Sequence, residues 1–181
     1  MINRRRLLAL LLGGAALGGA LARSAAPALA QGGAEYRLGV GDRIKIIVFG
    51  QSDLTGETEV DAAGKIIVGL IGEVAALGRT VVDVQGEIRQ RLDKEYLVNP
   101  RVSVIIVAYR PITVLGYVRN PGRYAYSAGM DVRQAVGLAG GYDRRASSSS
   151  VTIFRDGKEM DAKPETTIQP GDTIQIPRSL F

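Results

Sequence analysis

Carboxylates are the plentiful proton-transfer groups of this chain, because its 181 residues include no His and no Cys. Asp42, Glu57, Glu59, Asp61 and Asp172 are the acids whose type suits a general acid–base pair, the requirement of glycoside hydrolysis. Asp42, Asp61 and Asp172 stand beside Gly or inside turn sequences, where Asp is favoured for bonding to nearby backbone amides. Turn formation is therefore the expected role of these three, and no catalytic residue is expected. Without Cys and His, the usual zinc, iron–sulfur and haem ligands are missing, so no metal or cofactor site is expected either. Phosphate cradling lacks its Gly-x-x-x-x-Gly-Lys-Ser/Thr segment, and Gly39-Val40-Gly41 leads into a strand rather than a helix.

Contact with a sugar is a second chemistry open to these side chains. Tyrosine joins a flat apolar ring to a hydroxyl, which suits the apolar face and polar rim of a sugar. Tyr124 and Tyr126, two apart, share one face of an extended strand, with Tyr117 on the preceding strand. Arg119, Asn120, Pro121, Gly122 and Arg123 form the turn between. The competing role for the tyrosines is packing the core of a small domain.

Several elements must position these groups. Gly41-Asp42 reads as a turn into a strand carrying Ile44, Ile46 and Val48. Thr58 to Val60, the turn Asp61-Ala62-Ala63-Gly64 and Lys65 to Val68 read as a strand pair, and Ile44 to Val74 as a meander of short strands. Thr80 with Asp83 three residues on predicts a capped helix, whose apolar face is Val81, Val84, Ile88 and Leu92. Pro100 closes that segment, and Val102 to Val107 is a β-branched strand. After Pro111, Ile112 to Val118 and Arg123 to Tyr126 pair across Asn120-Pro121-Gly122, a sequence suited to a type II turn. A short helix follows Asp131, with Gln134 completing its capping box and Gly140-Gly141 ending it. Asp156-Gly157 marks a tight hairpin. Gly41-Asp42-Arg43-Ile44-Lys45-Ile46 and Gly171-Asp172-Thr173-Ile174-Gln175-Ile176 share one pattern, read as the same turn-into-strand device used twice.

The formal net charge of +5 is misleading until it is placed. Arg4, Arg5, Arg6 and Arg23 fall among the first 30 residues, which hold no acid, so the rest carries 19 Lys and Arg against 18 Asp and Glu. Little counterion-release affinity remains, and no nucleic-acid partner is expected. Arg4-Arg5-Arg6, the uncharged stretch Leu7 to Ala22 and Ala28-Leu29-Ala30 are the three parts of a signal peptide over residues 1–30, with cleavage expected before Gln31. The uncharged stretch is short for a membrane span. A periplasmic or secreted mature protein is expected.

The order of features resembles the bacterial polysaccharide biosynthesis/export family, the Wza-type outer-membrane polysaccharide export proteins. Residues 36–111 carry the export-domain marks: Tyr36-Arg37-Leu38-Gly39-Val40-Gly41-Asp42, Asp61-Ala62-Ala63-Gly64-Lys65-Ile66, Gly69-Leu70-Ile71-Gly72 and Asn99-Pro100-Arg101-Val102-Ser103-Val104. Residues 112–178 carry those of a soluble-ligand-binding β-grasp (SLBB) module: Gly116 to Tyr124, Ala139-Gly140-Gly141, Ala146 and Val151 to Gly157. The resemblance implies an α+β fold, a small β-rich export domain with one main helix followed by the β-grasp-like module. It also implies a non-catalytic subunit of capsular or exopolysaccharide export that forms ring-like homo-oligomers and meets an inner-membrane polysaccharide co-polymerase. The lipidated Cys and the C-terminal amphipathic helix of long relatives are missing from this sequence. The expectation is accordingly a short periplasmic member that works beside a separate outer-membrane channel protein and contacts the polysaccharide chain. Its contact surface is expected at Tyr117, Arg119 to Tyr124, Tyr126, Gly140 and Gly141. A periplasmic glycan-binding or sensing protein that forms no conduit is the alternative.

Overall fold

Each half of the chain places one strand by the same device, a glycine turn closed by a buried aspartate. The computed structural model describes residues 36–147 and 150–179, all within one compact unit. The leader and its cleavage point lie outside these residues. In the amino-terminal half, the Asp42 amide donates to the Gly39 carbonyl and its carboxylate accepts the Gly39 N–H at 2.7 Å. The chain leaves this turn as β1 (Arg43–Val48), which buries Ile44, Ile46 and Val48. Strand β1 is the centre of a three-stranded antiparallel sheet, flanked by β2 (Gly56–Glu59) and β5 (Val102–Ala108).

The helix α1 (Val81–Glu95) crosses from a two-stranded hairpin, β3 (Lys65–Val68) and β4 (Gly72–Ala75), to β5. Its start is a complete capping box: the Asp83 N–H donates to the Thr80 hydroxyl, and the Thr80 N–H to the Asp83 carboxylate. Val84, Ile88 and Leu92 lie one helical turn apart and are buried together with the inward residues of β1, β3 and β5. The Gln85 side-chain oxygen accepts the Val104 N–H, fixing the helix against the sheet.

The carboxy-terminal half has its own buried cluster, built on one five-stranded sheet. Its order is β7 (Gly122–Tyr124), β6 (Ile112–Gly116), β10 (Thr173–Ile176), β8 (Val151–Arg155) and β9 (Lys158–Ala162). Strands β6 and β10 run parallel, which demands a long crossover, and α2 (Val132–Leu138) lies on that connection. Asp131 and Gln134 form the second capping box. Asp156 and Gly157 both have positive φ, the backbone of a type I′ hairpin between β8 and β9. The whole is an α+β fold, as expected.

The structure differs from the sequence-based expectation at three places. Strand β3 pairs with β4 rather than β2, because the Asp61 turn turns the chain out of the first sheet; the Asp61 carboxylate accepts the Lys65 N–H. The segment at Pro121-Gly122 is not a type II turn, since Gly122 lacks the positive φ that turn requires. The sharp bend instead falls at Gly116 (φ 86°), where a Cβ would lie 2.1 Å from the Ile176 carbonyl oxygen. Tyr126 lies beyond the end of β7, so Tyr124 and Tyr126 do not share a strand face.

Candidate functional site

The turn after β6 is built by bonds to a distant loop. The Arg119 N–H donates to the Gly141 carbonyl and the Asn120 N–H to the Ala139 carbonyl, so the end of α2 holds the turn from beneath. Gly140 (φ 81°) is pressed against it: a Cβ there would lie 2.7 Å from Asn120 Nδ2 and 3.3 Å from Arg119 Cβ. Tyr117, Arg119, Asn120, Pro121 and Arg123 are exposed along this ledge, with Gly122 half-buried. Arg119, Asn120, Gly140 and Gly141 are thus brought together.

The tyrosines behave differently. The Tyr124 hydroxyl donates to the Asn120 carbonyl, and its ring packs against the buried cluster of this half, so it props the turn. Tyr126 packs against the same cluster and meets the Tyr109 ring edge to face at 5.4 Å. Tyr109 in turn meets Tyr36 at 5.0 Å, so three rings run from one half to the other. Tyr117 remains on the surface, and its carbonyl accepts the Asp143 N–H. Among the described residues, no ring contact joins Tyr117 to Tyr124 or Tyr126.

A second constellation lies between the halves, centred on Arg110. The Asp42 carboxylate, fully buried, accepts the Arg110 N–H at 2.7 Å on one oxygen and the Tyr36 hydroxyl and Gly39 N–H on the other. Burying a carboxylate costs several kcal/mol unless donors replace water, and here three do. The Arg110 side chain then runs between the two glycine turns: Nε donates to the Pro170 carbonyl at 2.9 Å, and both Gly39 and Gly171 lack the Cβ that its guanidinium would strike.

The second turn repeats the first. The Asp172 carboxylate accepts the Gln169 N–H at 2.7 Å and the Asp172 N–H donates to the Gln169 carbonyl. Arg155 donates to both Asp172 oxygens, from Nε at 2.9 Å and Nη2 at 2.7 Å, a forked pair that holds the guanidinium charged. A cleft of about 380 Å³ opens where the turns meet, lined by Arg37, Leu77, Arg110, Arg155, Asp156 and Gly171 among others. Burial and the Asp42 carboxylate beside it push the Tyr36 phenol well above its ordinary range, so it stays a donor.

Sequence reasoning missed Arg37, Arg110 and Arg155 as neighbours. The available signal was the repeated Gly-Asp pattern, which marks both walls of the cleft, and Arg110 standing at the junction before Pro111.

Comparison with known proteins matches this architecture. Residues 30–107 match the family model for polysaccharide biosynthesis/export protein, and residues 111–163 match that for the SLBB domain. The exopolysaccharide production protein ExoF of Rhizobium meliloti (strain 1021) is 33% identical, over 93% of this chain and 40% of that protein. The EPS I polysaccharide export outer membrane protein EpsA of Ralstonia solanacearum is 26% identical, over 77% of this chain and 45% of its own length. The polysialic acid transport protein KpsD of Escherichia coli is 25% identical, over 70% of this chain and 23% of its own length. The chain therefore spans less than half the length of each of these relatives. Two family models that follow one another in order, and meet where the two buried clusters meet, make this chain a member of the polysaccharide biosynthesis/export protein family with an SLBB domain behind its export domain.

Proposed function

We propose that the chain is a non-catalytic, periplasmic component of a capsular or exopolysaccharide export machinery, acting after its leader is removed before Gln31. It associates with further copies into a ring-like conduit and works with an inner-membrane co-polymerase and an outer-membrane channel protein. The observation that carries this reading is the buried joint at Asp42, Arg110 and Pro170, which couples two small modules into one body suited to repeated docking. The two buried carboxylates at the turns both serve as acceptors of structural donors, which favours docking over acid–base chemistry. Among the described residues no helix is long and apolar enough to cross a membrane. Strand β5 is an edge strand with Ile105 and Val107 exposed, a surface on which a neighbouring subunit can close a head-to-tail ring. The ledge at Tyr117, Arg119 to Arg123, Gly140 and Gly141 is the module's contact surface for polysaccharide or a neighbouring subunit.

Deleting the gene tests this directly. Loss of surface polysaccharide with accumulation behind the outer membrane, restored by complementation, is the expected result. Intact export with altered regulation would replace it with the glycan-sensing alternative. Native mass spectrometry with the co-polymerase periplasmic domain should show a discrete large oligomer, and a strict monomer would remove the ring.

A further inference from the structure

We propose that the cleft between the two glycine turns binds one carboxylate-bearing sugar residue of the transported chain, with Arg110 and Arg37 as its anion-holding groups. The sugar in this assignment rests on the export reading, whereas the anion preference rests on the cleft alone. Arg155 and Asp172 neutralise one another in their forked pair, which leaves Arg37 and Arg110 against the single acid Asp156 in the wall. Asp42, behind Gly39, is buried and accepts from three neutral donors, so its carboxylate counts with Asp156 against the two arginines, and neither of them is paired with a carboxylate by a side-chain bond among the described residues.

Both guanidiniums have donors to offer. Among the described residues Arg110 donates only Nε, to Pro170, and Arg37 only Nη1, to the Gly78 carbonyl at 2.8 Å. The Arg110 fork cannot swing freely, because its backbone N–H is tied to Asp42, its Nε to Pro170 and its plane is confined by Gly39 and Gly171. A fixed planar fork is the geometry that recognises a carboxylate by two parallel bonds. Leu77, exposed on the cleft wall, offers an apolar patch to a ring face, and Asp156 offers an acceptor to ring hydroxyls. About 380 Å³ lies within the range of small-ligand sites.

The test is a titration of the protein, purified after secretion, with glucuronic acid, methyl glucoside, acetate and inorganic phosphate, followed by amide chemical shifts. Glucuronic acid should shift residues 37–41, 110, 171 and 172 and bind about tenfold more tightly than methyl glucoside, the difference expected from one charge-assisted bond. Arg37→Ala, at an exposed position that leaves the joint intact, should weaken glucuronic acid about tenfold with an unchanged melting temperature. Arg110→Lys keeps the charge without the fork and should also weaken it. Equal binding of glucuronic acid and methyl glucoside, no effect of Arg37→Ala, or acetate or phosphate matching glucuronic acid would each overturn the assignment. Binding of glucuronic acid by a protein whose deletion leaves export intact removes the export reading and keeps the site. Blocked export without glucuronic acid binding removes the site and keeps the export reading.

Discussion

Asp42 accepts the backbone N–H of Arg110 across 68 positions of sequence, at 2.7 Å. That one carboxylate closes the turn into β1 and fixes the residue whose side chain bonds Pro170 in the other half. Local folding of the first half and its attachment to the second are thereby set by the same group.

Asp42→Ala leaves the Gly39 and Arg110 N–H groups and the Tyr36 hydroxyl without their acceptor. Bonds to a charged group are worth about 1.5–3 kcal/mol each, and water can replace part of the loss, so destabilisation of about 3 kcal/mol is expected in urea denaturation. Limited proteolysis should begin to cut near residues 108–112. A variant as stable as the parent would show that the joint is held elsewhere.

The pair Arg155 and Asp172 offers a parallel measurement in the second half. Asp172 is only 1% exposed, so Arg155→Ala strands a buried carboxylate and should cost about 3–5 kcal/mol. Adding Asp172→Asn to it should cost far less than the sum of the single changes, because the stranded charge is then removed. Additive effects in the cycle would mean that the two side chains do not act as a pair.

How much of this was legible depends on how far each contact reaches. The α1 capping box and its Val84, Ile88, Leu92 face lie within one segment, and the Asp156-Gly157 hairpin needs only two residues to specify it. Both are legible because local chemistry decides them. The turn at Pro121-Gly122 departs from its local type II preference because Arg119 and Asn120 bond to Gly141 and Ala139, a tertiary contact that overrides it. Tyr126 leaves the strand face for a similar reason: its ring partner, Tyr109, comes from the junction between the halves. The Arg110 cleft is not legible in the sequence because its bonds span 60 and 68 residues, although the twin Gly-Asp turns that form its walls stand in the sequence as a repeat.

Gly116 and Gly129 separate backbone strain from collision. Both have positive φ, 86° and 80°, where a Cβ costs about 1–2 kcal/mol through its own backbone. A Cβ at Gly129 meets nothing, whereas at Gly116 it would lie 2.1 Å from the Ile176 carbonyl oxygen, in the parallel pairing of β6 with β10. Gly129→Ala should lower stability by about 1 kcal/mol, and Gly116→Ala by at least about 3 kcal/mol, with loss of amide protection in β10. Equal losses at the two positions would show that the β6–β10 edge can yield.

Alkaline pH should weaken the fold through Tyr36. Burial, then the hydrogen bond to Asp42, raise its phenol above the ordinary value of 10.0. The unfolded chain therefore releases this proton at lower pH than the folded one. The stabilisation is fully present below pH 10 and is lost progressively as pH rises from there toward the folded-state value. Tyr142, raised by burial and with its hydroxyl unpartnered among the described residues, adds a slope of the same sign. Denaturation midpoints measured between pH 8 and about 11 should fall above pH 10 in the parent and fall less steeply in Tyr36→Phe. That variant should itself be less stable than the parent at pH 8, because Asp42 loses one of its three donors. An identical alkaline slope in the two proteins would mean that the Tyr36 phenol ionises as readily in the folded chain as in the unfolded one.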